Sequence, residues 1–396
     1  MTINIIKILQ IKTNNDESTT TTTNFDLEQV ATSSNKTTVM AMMEAVEVLV
    51  GRFRGSMVGA LMGDCMGAPF EAEPRAARSV LNSYFKRLSS PDIKVPYKAY
   101  TDDTAMTRCV ALSLIQEKGY NAEDMAKRFV KEFYAEPRRG YGSNVVDVFA
   151  ALRISKFEDV YSPASRQFGG SGSYGNGGAM RVAPVALFYH PASDQKVASV
   201  AKDMALITHG NRLGYNGAVL QCLAIREALR TPTNQLDVVK FIQSLKEMMK
   251  KVETLGEDEI LEKGQIEFEY TGRLSRLASL MERGDQVSID VVEEELGNDI
   301  SAHRSVPTAI YSFLRASNSI PNIEAETAFM RTIHYAISLG GDTDTIASMA
   351  GSIAGAFYGI AEIPESLQRH CEGLAEAIQQ ADQLHSLATN THPPPS

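Results

Sequence analysis

The chain has few cysteines and no long apolar run, and both absences narrow the classes of protein to which it can belong. Its four cysteines are widely separated and form no CxxC pair, which excludes a disulfide-rich scaffold and a cysteine zinc site. No apolar stretch approaches the ~20 residues of a transmembrane helix. The N-terminus also lacks the continuous apolar segment and the small-residue cleavage site of a signal peptide. We therefore expect a soluble, globular, intracellular protein with reduced cysteines.

Basic residues are fewer than acidic residues in this chain. The 39 basic residues are outnumbered by 48 acidic ones, which gives a net charge of −9 at pH 7. A protein of this sign does not attract polyanions over its whole surface, so nucleic acid and anionic membranes are not expected partners. The acidic balance is compatible with a metal site built from carboxylates.

Both ends of the chain differ in composition from the middle. Residues 1–44 are rich in Thr, Ser and Asn, which make up 16 of the 26 residues from 13 to 38 and include five consecutive threonines at 19–23. Such a stretch buries too little apolar surface to offset the entropy lost on ordering, so we predict a disordered tail. A weak organelle-targeting helix at Met1–Lys12 is an alternative for its first residues. Residues 389–396 contain three prolines and are predicted to form a second tail, which leaves one domain at 45–388.

Apolar residues recur every three or four positions along most of this domain, a spacing typical of amphipathic helices. One such stripe consists of Val46, Val50, Phe53, Met57 and Leu61. Similar stripes predict further helices at Met204–Ile207, Ala218–Leu229, Val238–Met249, Leu274–Met281 and Phe329–Leu339. Loops are predicted at 68–100, 135–144, 161–181 and 252–272. Because the alternating patterns of strands are scarce, we predict a single all-α domain.

Two short segments combine paired carboxylates with hydroxyls at the start of a predicted helix. They are Thr101-Asp102-Asp103-Thr104 and Gly340-Gly341-Asp342-Thr343-Asp344-Thr345. N-capping needs one side chain per helix and is the alternative for either segment alone, whereas each segment offers two carboxylates and two hydroxyls. Without Cys or His nearby, this donor set suits Mg²⁺, Mn²⁺ or Ca²⁺ better than zinc. We predict that the two helix starts meet around one or two such ions.

The residues that flank these clusters indicate how a cleft would be built. Ala347, Gly351 and Gly355 recur every four positions, so the helix after the second cluster is predicted to pack closely against a neighbour. The first helix is predicted to end near Gly63. Glu71 then follows on a loop, where it is free to point into a cleft, although a lone loop glutamate is more often a surface residue.

Residues 169–178 include six glycines and form a loop suited to an anion. A run of glycines lets several backbone amides face one phosphate or diphosphate. No apolar strand precedes the loop and no lysine follows it, which excludes Rossmann and Walker A sites. Phe168 and Tyr174 could stack on an aromatic base; the alternative is a flexible surface loop whose aromatics are core contacts. His209 lies between a helix and a loop, as either a ligand contact or a structural histidine.

Six motifs, taken in order, resemble those of the ADP-ribosyl-glycohydrolase family. The motifs are FRGSMVGALMGDCMG…E (Phe53–Glu71), YTDDTAM (Tyr100–Met106), GSYGNGGAMRV (Gly172–Val182), THGNRLGYNGA (Thr208–Ala218), SVPTAIY (Ser305–Tyr311) and SLGGDTDTIASMAGSIAGA (Ser338–Ala356). The resemblance runs from Arg52 to about Leu387. Glu71 and the GSYGNGG loop resemble most closely the vertebrate-type branch that cleaves serine-linked ADP-ribose and poly(ADP-ribose).

The resemblance implies an all-α domain with two Mg²⁺ ions in a binuclear cleft. The metal ligands that it implies are Glu71, Thr101, Asp102, Asp103, Asp342, Asp344 and Thr345. The substrate contacts that it implies are Asp102, Phe168, Ser171, Gly172, Ser173, Tyr174, Gly175, Asn176, Gly177, His209 and Ile300. Glu71, a mobile glutamate that gates the cleft in this branch, and Asp344 are the implied catalytic residues.

The resemblance also implies a glycosidase of the DNA damage response that acts as a monomer on serine-ADP-ribosylated proteins and poly(ADP-ribose) and releases ADP-ribose. The nucleus and cytoplasm are the expected compartments, with the mitochondrial matrix as a further one. The alternatives are an arginine-ADP-ribose hydrolase, a non-catalytic ADP-ribose-binding protein and a Mg²⁺-dependent phosphohydrolase. Two departures stand out: Ser171 replaces an expected lysine and weakens a phosphate contact, and Pro69 stiffens the segment before Glu71.

Overall fold

The computed structural model describes residues 33–90, 97–232, 235–254 and 269–391. The chain divides into two units, Met1–Val46 and Glu47–Ser396. Of the first unit, the described part is the helix that begins at Ser33. The second unit contains all the other described elements.

Eighteen α-helices make up the described part of the chain. They are α1 Ser33–Gly67, α2 Arg78–Ser89, α3 Asp102–Glu117, α4 Ala122–Ala135, α5 Ser143–Ile154, α6 Ser162–Ser165, α7 Gly177–Met180, α8 Ala183–Phe188, α9 Asp194–Leu206, α10 Arg212–Arg230, α11 Val238–Thr254, α12 Glu269–Arg283, α13 Ile289–Glu295, α14 Ala302–Arg315, α15 Ala328–Ser338, α16 Thr343–Tyr358, α17 Glu365–Gln368 and α18 Leu374–Thr391. Short 3₁₀ helices lie at Ala68–Phe70, Gln167–Gly170, Gly284–Gln286 and Ile360–Glu362.

The described residues contain no β-strand, and their only β-type pairings are two isolated bridges, Lys98 with Cys371 and Gly175 with Ser301. The predicted all-α class is therefore confirmed. The predicted helical stripes lie within helices of the structure, except that Ile207 and Leu339 lie one residue beyond the ends of α9 and α15. Among the described residues, no helix combines the length and apolarity that a membrane span requires.

The first helix and the segment after it differ from the sequence prediction. α1 continues to Gly67 and does not end near Gly63, because the bare backbone of Gly63 packs against another helix. The predicted loop at 68–100 also contains α2, which buries the apolar side chains Leu81, Phe85 and Leu88 on one face. The polar residues that surround this short stripe concealed it in the sequence.

The limits of the two predicted tails also differ in detail. Residues 33–44 of the predicted N-terminal tail belong to α1, and residues 389–391 of the predicted C-terminal tail belong to α18. The rest of each tail, including the candidate targeting helix, lies outside the described residues. The short helices α6 and α7 likewise fall within the predicted loop at 161–181.

Helices α1 and α16 touch through their backbones along a line of small residues, here called the glycine seam. A Cβ atom added to Gly59 would lie under 3.0 Å from the carbonyl oxygen of Gly351, and the reverse substitution meets the oxygen of Gly59. Gly63 faces Ala347 in the same way. On α1 the seam consists of Gly55, Gly59, Gly63 and Gly67. The close packing predicted for Ala347, Gly351 and Gly355 is therefore present, and its partner is α1.

We expect Gly59→Ala to destabilise the protein because the new methyl group collides with backbone rather than with a flexible side chain. Overpacking of this kind costs about 3 kcal/mol at its upper range. The matched control is Gly51→Ala, about two turns earlier on the same helix, where an added Cβ meets nothing within 4 Å. That change should stabilise the helix by roughly 0.5–1 kcal/mol. Equal unfolding midpoints for the two variants in thermal denaturation would contradict the importance of the seam.

Candidate active site

The first carboxylate cluster lies at the start of α3. The hydroxyl of Thr101 caps this helix by accepting a hydrogen bond from the backbone amide of Asp103 at 3.3 Å. The Asp103 side chain is buried, and its Oδ2 atom has no hydrogen-bond partner within the described part of the chain. Capping therefore explains Thr101 and leaves Asp103 available for another role.

Asp64, which the sequence analysis passed over, fixes the backbone of this cluster. Its buried carboxylate accepts hydrogen bonds from the amide of Thr101 at 3.0 Å, the amide of Thr104 at 3.1 Å and the hydroxyl of Thr104 at 2.6 Å. The Thr104 hydroxyl is thus engaged away from any ion. An acid placed among apolar residues inside a helical stripe is the signal that could have revealed Asp64.

An ion pair holds the same segment from the opposite side. Arg139 and Glu372 form two hydrogen bonds of 2.6 and 2.9 Å. Arg139 also donates to the carbonyl of Tyr100 at 3.0 Å, and its own carbonyl accepts from the amide of Asp102 at 2.6 Å. Because the backbone on both sides of Thr101 is fixed, the orientation of the cluster does not depend on a bound ligand.

The second cluster lies at the start of α16, and the structure brings it against the first. Thr345 donates a hydrogen bond from its hydroxyl to Asp103 Oδ1 at 3.2 Å, and its amide donates to Asp344 Oδ1 at 2.9 Å. Asp342, Asp344 and Thr345 are all buried. Asp342 makes no capping bond, so capping does not account for its carboxylate.

The glycine seam ends at this cluster. A Cβ atom at Gly67 would lie 2.5 Å from the Cα atom of Asp344, and the Thr343 hydroxyl donates to the carbonyl of Gly67 at 3.0 Å. The last turn of α1 and the first turn of α16 are thus in direct contact. The loop that follows α1 therefore emerges beside the acids of α16.

Glu71 lies on that loop, as predicted, immediately after the 3₁₀ turn that contains Pro69. One carboxylate oxygen from each of Glu71, Asp342 and Asp344 lies within 4.8 Å of the other two. The loop is attached elsewhere through Arg75, which pairs with Asp290 at 2.6 Å and also with Glu293. Glu71 itself is exposed, so it can move relative to the buried acids.

Burial and mutual repulsion make these acids hard to ionise without a cation. Burial, followed by the neighbouring carboxylates, raises the pKa of Asp344 to about 10 and that of Asp102 to about 7. Burial raises the pKa of Asp64 to about 6 even though its hydrogen bonds act in the opposite direction. The pKa of Asp103 is also raised well above its usual range. A divalent cation would relieve both penalties, and the unpartnered oxygen of Asp103 and the all-oxygen donor set fit a hard ion.

The glycine loop presents its aromatic side chains to the surface. Phe168 and Tyr174 are 52% and 49% exposed, and their rings are stacked with centroids 6.4 Å apart at 28°. They are therefore not core contacts, which was the alternative from the sequence. Ser171 is exposed and donates its hydroxyl to the carbonyl of Phe168 at 3.0 Å, within its own loop.

The glycine loop is tied to the second acid cluster. The backbone amide of Asn176 donates to the carbonyl of Ile300 at 2.9 Å, while its side chain donates to Asp342 Oδ2 at 2.6 Å. Tyr174 accepts at its carbonyl from the amide of Ala302 at 3.0 Å. The side chain of Ile300 is 68% exposed beside this loop. The loop and the acids therefore form one continuous site.

His209 lies beneath the glycine loop and is buried. A Cβ atom added to Gly175 would lie 3.4 Å from His209 Nε2, and one added to Gly177 would lie 3.0 Å from it. The remaining loop residues that the sequence nominated, Gly172 and Ser173, also lie near this histidine. Gly172 packs on the backbone of residues 210–211, and the Ser173 hydroxyl accepts from the amide of Gly175 at 3.2 Å.

The described residues form an all-helical protein in which a cluster of buried acids is hydrogen-bonded to a glycine loop. The profile of the ADP-ribosylglycohydrolase family matches residues 46–394. The chain belongs to the ADP-ribosylglycohydrolase family, and is by this membership a hydrolase of the ADP-ribosyl class. The family resemblance found in the sequence motifs is thus confirmed.

Several curated proteins and one solved structure are similar to the chain. It is 45% identical over 345 residues to the ADP-ribosylhydrolase ARH3 of Mus musculus, covering 85% of this chain and 91% of the mouse protein. It is 43% identical over 348 residues to ARH3 of Homo sapiens, covering 85% and 93%. A structure described as an ADP-ribosylglycohydrolase-related protein complex matches with a TM-score of 0.58 at 23% identity, over 86% of this chain and 99% of that one. This last likeness concerns the fold alone.

We expect the metal-free protein to lose stability between pH 7 and pH 8. An acid whose pKa is raised by folding holds its proton more tightly in the folded state, so the free energy of unfolding falls as the pH rises towards the folded pKa. For Asp344, with a folded pKa of about 10, the fall is about 1 kcal/mol over this interval. The interval lies above the titration of unfolded histidine and below that of unfolded thiols.

Chemical denaturation at the two pH values measures this effect. Asp344→Asn should remove most of the difference, and saturating Mg²⁺ should reduce it because the cation replaces the proton. A pH-independent free energy of unfolding in the metal-free protein would show that Asp344 is ionised without a cation.

Proposed function

We propose that this protein is a Mg²⁺-dependent hydrolase that removes ADP-ribose from serine-ADP-ribosylated proteins and degrades poly(ADP-ribose), releasing ADP-ribose. The observation that carries the proposal is the hydrogen bond from Asn176 of the glycine loop to Asp342 of the acid cluster. It joins a loop suited to a diphosphate and a cluster suited to cations in one site. ADP-ribose carries a diphosphate and a ribose with neighbouring hydroxyls, which are the groups that these two parts would bind.

The acids and hydroxyls of the two helix starts would hold two Mg²⁺ ions. The proposed ligands are Glu71, Thr101, Asp102, Asp103, Asp342, Asp344 and Thr345. When bound, such ions would act as Lewis acids that position the ribose hydroxyls and a water molecule. Their charge also lowers the pKa of the surrounding carboxylates, so that Asp344 becomes ionised only in the loaded site.

The loop residues would hold the rest of the ligand. Amides of Ser171–Gly177 would donate to the diphosphate, and the exposed rings of Phe168 and Tyr174 would stack on adenine. His209 would contact the ligand from beneath the loop. Asp102 and Ile300, at the two edges of the site, would complete the contacts. With Ser171 in place of a lysine, the diphosphate would be held mainly by hydrogen bonds from backbone amides.

The reaction would break the glycosidic bond between C1″ of the ribose and the serine oxygen. The ribose carbon develops oxocarbenium character as this bond lengthens, and the surrounding carboxylates stabilise the positive charge. Water would add its oxygen to C1″ and give a proton to Asp344 or Glu71, and that proton, passed on by the carboxyl group or through solvent, would leave with the serine oxygen, so that one water molecule is consumed and no net proton is released. Glu71 is exposed, and its loop is attached elsewhere through Arg75. Both features suit a residue that enters and leaves the site as the cleft opens.

The similar proteins support hydrolysis of an ADP-ribosyl bond. The serine linkage, the dependence on Mg²⁺ and the degradation of poly(ADP-ribose) are additions of our proposal. The mouse and human proteins named ADP-ribosylhydrolase ARH3 are similar over 85% of this chain. We further propose that the protein acts as a monomer in the nucleus and cytoplasm, with the mitochondrial matrix as a further compartment. Neither nucleic acid nor membrane is a proposed partner.

The test of this function is a product assay on a serine-ADP-ribosylated peptide, with Mg²⁺ or with a chelator, read by mass spectrometry. We expect loss of the whole ADP-ribose unit and recovery of unmodified serine only with Mg²⁺. Cleavage of an arginine-linked substrate alone would indicate the arginine-specific activity instead. Release of AMP or phosphate would indicate a phosphohydrolase, and binding of ADP-ribose without turnover would indicate a non-catalytic binding protein.

We expect Asp344→Asn to lower the turnover number by more than tenfold, since contributions of a metal site to catalysis are usually several kcal/mol. Single-turnover kinetics on the same peptide measure the effect. The matched control is Asp382→Asn, because Asp382 pairs with Arg54 at 2.6 Å and belongs to neither carboxylate cluster. If Asp344→Asn retains more than about a tenth of the wild-type rate, the catalytic role of Asp344 is wrong.

A further inference from the structure

A chain of three buried side chains leads from the protein interior to the glycine loop. Arg181 donates from Nη2 to the hydroxyl oxygen of Thr208 at 2.6 Å. The same hydroxyl oxygen lies 2.7 Å from Nδ1 of His209. All three residues are buried, and Arg181 is among the largest fully buried side chains of the protein.

Arg181 is held in one position without an acidic partner. Its guanidinium lies over the ring of Phe129, 4.6 Å from the centroid, and Nε approaches the sulfur of Met204 at 3.3 Å. Within the described ranges, no carboxylate forms an ion pair with it. Burial lowers the pKa of Arg181 to about 10, so it remains protonated at neutral pH. A guanidinium has only donors, and Thr208 must therefore act as its acceptor.

The arginine thereby decides which nitrogen of His209 carries the proton. A threonine hydroxyl has one proton to donate, and its close neighbours here are Arg181, which cannot accept, and His209 Nδ1. The hydroxyl proton is therefore directed to Nδ1. The ring is uncharged, because burial and the charge of Arg181 lower the pKa of His209 to about 3. A neutral ring that accepts at Nδ1 has its own proton on Nε2.

Nε2 of His209 faces Gly175 and Gly177, the residues of the loop that have no side chain. A Cβ atom at Gly177 would lie 2.8 Å from Cε1 and 3.0 Å from Nε2 of His209, and one at Gly175 would lie 3.4 Å from Nε2. Among the described residues, the only side-chain hydrogen bond of His209 is the one at Nδ1, and Nε2 makes none. The glycines thus admit the edge of the imidazole that carries the donor.

We infer that Arg181 and Thr208 are positioning residues that fix the Nε2–H tautomer of His209 and so direct a neutral donor at an anion bound in the glycine loop. The anion is a phosphate or diphosphate group, and its identification with ADP-ribose rests on the proposed function. This role explains why a cation that forms no direct ion pair among the described residues is buried here, although Asp102 attracts it electrostatically. The guanidinium of Arg181 binds the Thr208 hydroxyl and does not contact the anion itself. Through this hydroxyl it orients one hydrogen-bond donor, Nε2–H of His209.

The ¹⁵N chemical shifts of His209 in the ligand-free full-length protein test the tautomer directly. We expect a protonated Nε2 and an unprotonated Nδ1 in the wild type and in Thr208→Ser, which keeps the hydroxyl. Thr208→Val, which removes the hydroxyl at nearly constant volume, should give a mixture of tautomers. A wild-type protein with its proton on Nδ1 overturns the inference, and this holds even if Thr208→Val fails to fold.

Binding of ADP-ribose in the presence of Mg²⁺, measured by calorimetry, is the second readout. Binding in Thr208→Val should weaken by the inverse of the fraction of His209 that keeps the Nε2–H tautomer, which is about twofold for an equal mixture, and binding in Thr208→Ser should weaken by less. The Michaelis constant should rise by the same factor while the turnover number is nearly unchanged. Equal affinities of the wild type and Thr208→Val overturn the inference. If the wild type has the expected tautomer but binds no ADP-ribose, the proposed function fails and the positioning role stands.

Discussion

The candidate site depends on the direct contact between the backbones of α1 and α16. Glycines on both helices bring carbonyl oxygens to positions that any Cβ atom would occupy, and the two helices therefore have one possible alignment. At the end of this contact Gly67 meets Asp344, and Asp64 lies one turn earlier on α1. The same contact thus sets the distance between the acids of α16, the cap of α3 and the loop that carries Glu71.

The acid cluster is costly to the folded protein and is fixed by groups outside the proposed set of metal ligands. Asp64, Asn176 and the pair formed by Arg139 and Glu372 hold the backbone or side chains of the cluster in place. Burial and then repulsion among the acids raise their pKa values, which means that the cluster without a cation opposes folding at neutral pH. The proposed divalent cations would offset this cost in a site whose groups are already held in place.

The helices that the sequence predicted correctly have long apolar stripes, as in α10, where burial of one face outweighs local preferences. The prediction failed at α2, whose stripe is short, and at Gly63, where glycine signalled helix packing and not a helix end. It also passed over Asp64. Local sequence could not distinguish these cases, because the role of each residue depends on a contact with a residue that lies far away along the chain.

The sequence alone determined the helical class, the family motifs and the two sets of hard oxygen ligands, because periodicity and residue chemistry are local properties. Only the tertiary structure decided that the two sets meet at Asp103 and Thr345, that Asn176 joins the glycine loop to them, and that Arg181 acts on His209 through Thr208. These contacts join residues brought together by packing. Their distances follow from how closely the helices can approach, which no single segment specifies.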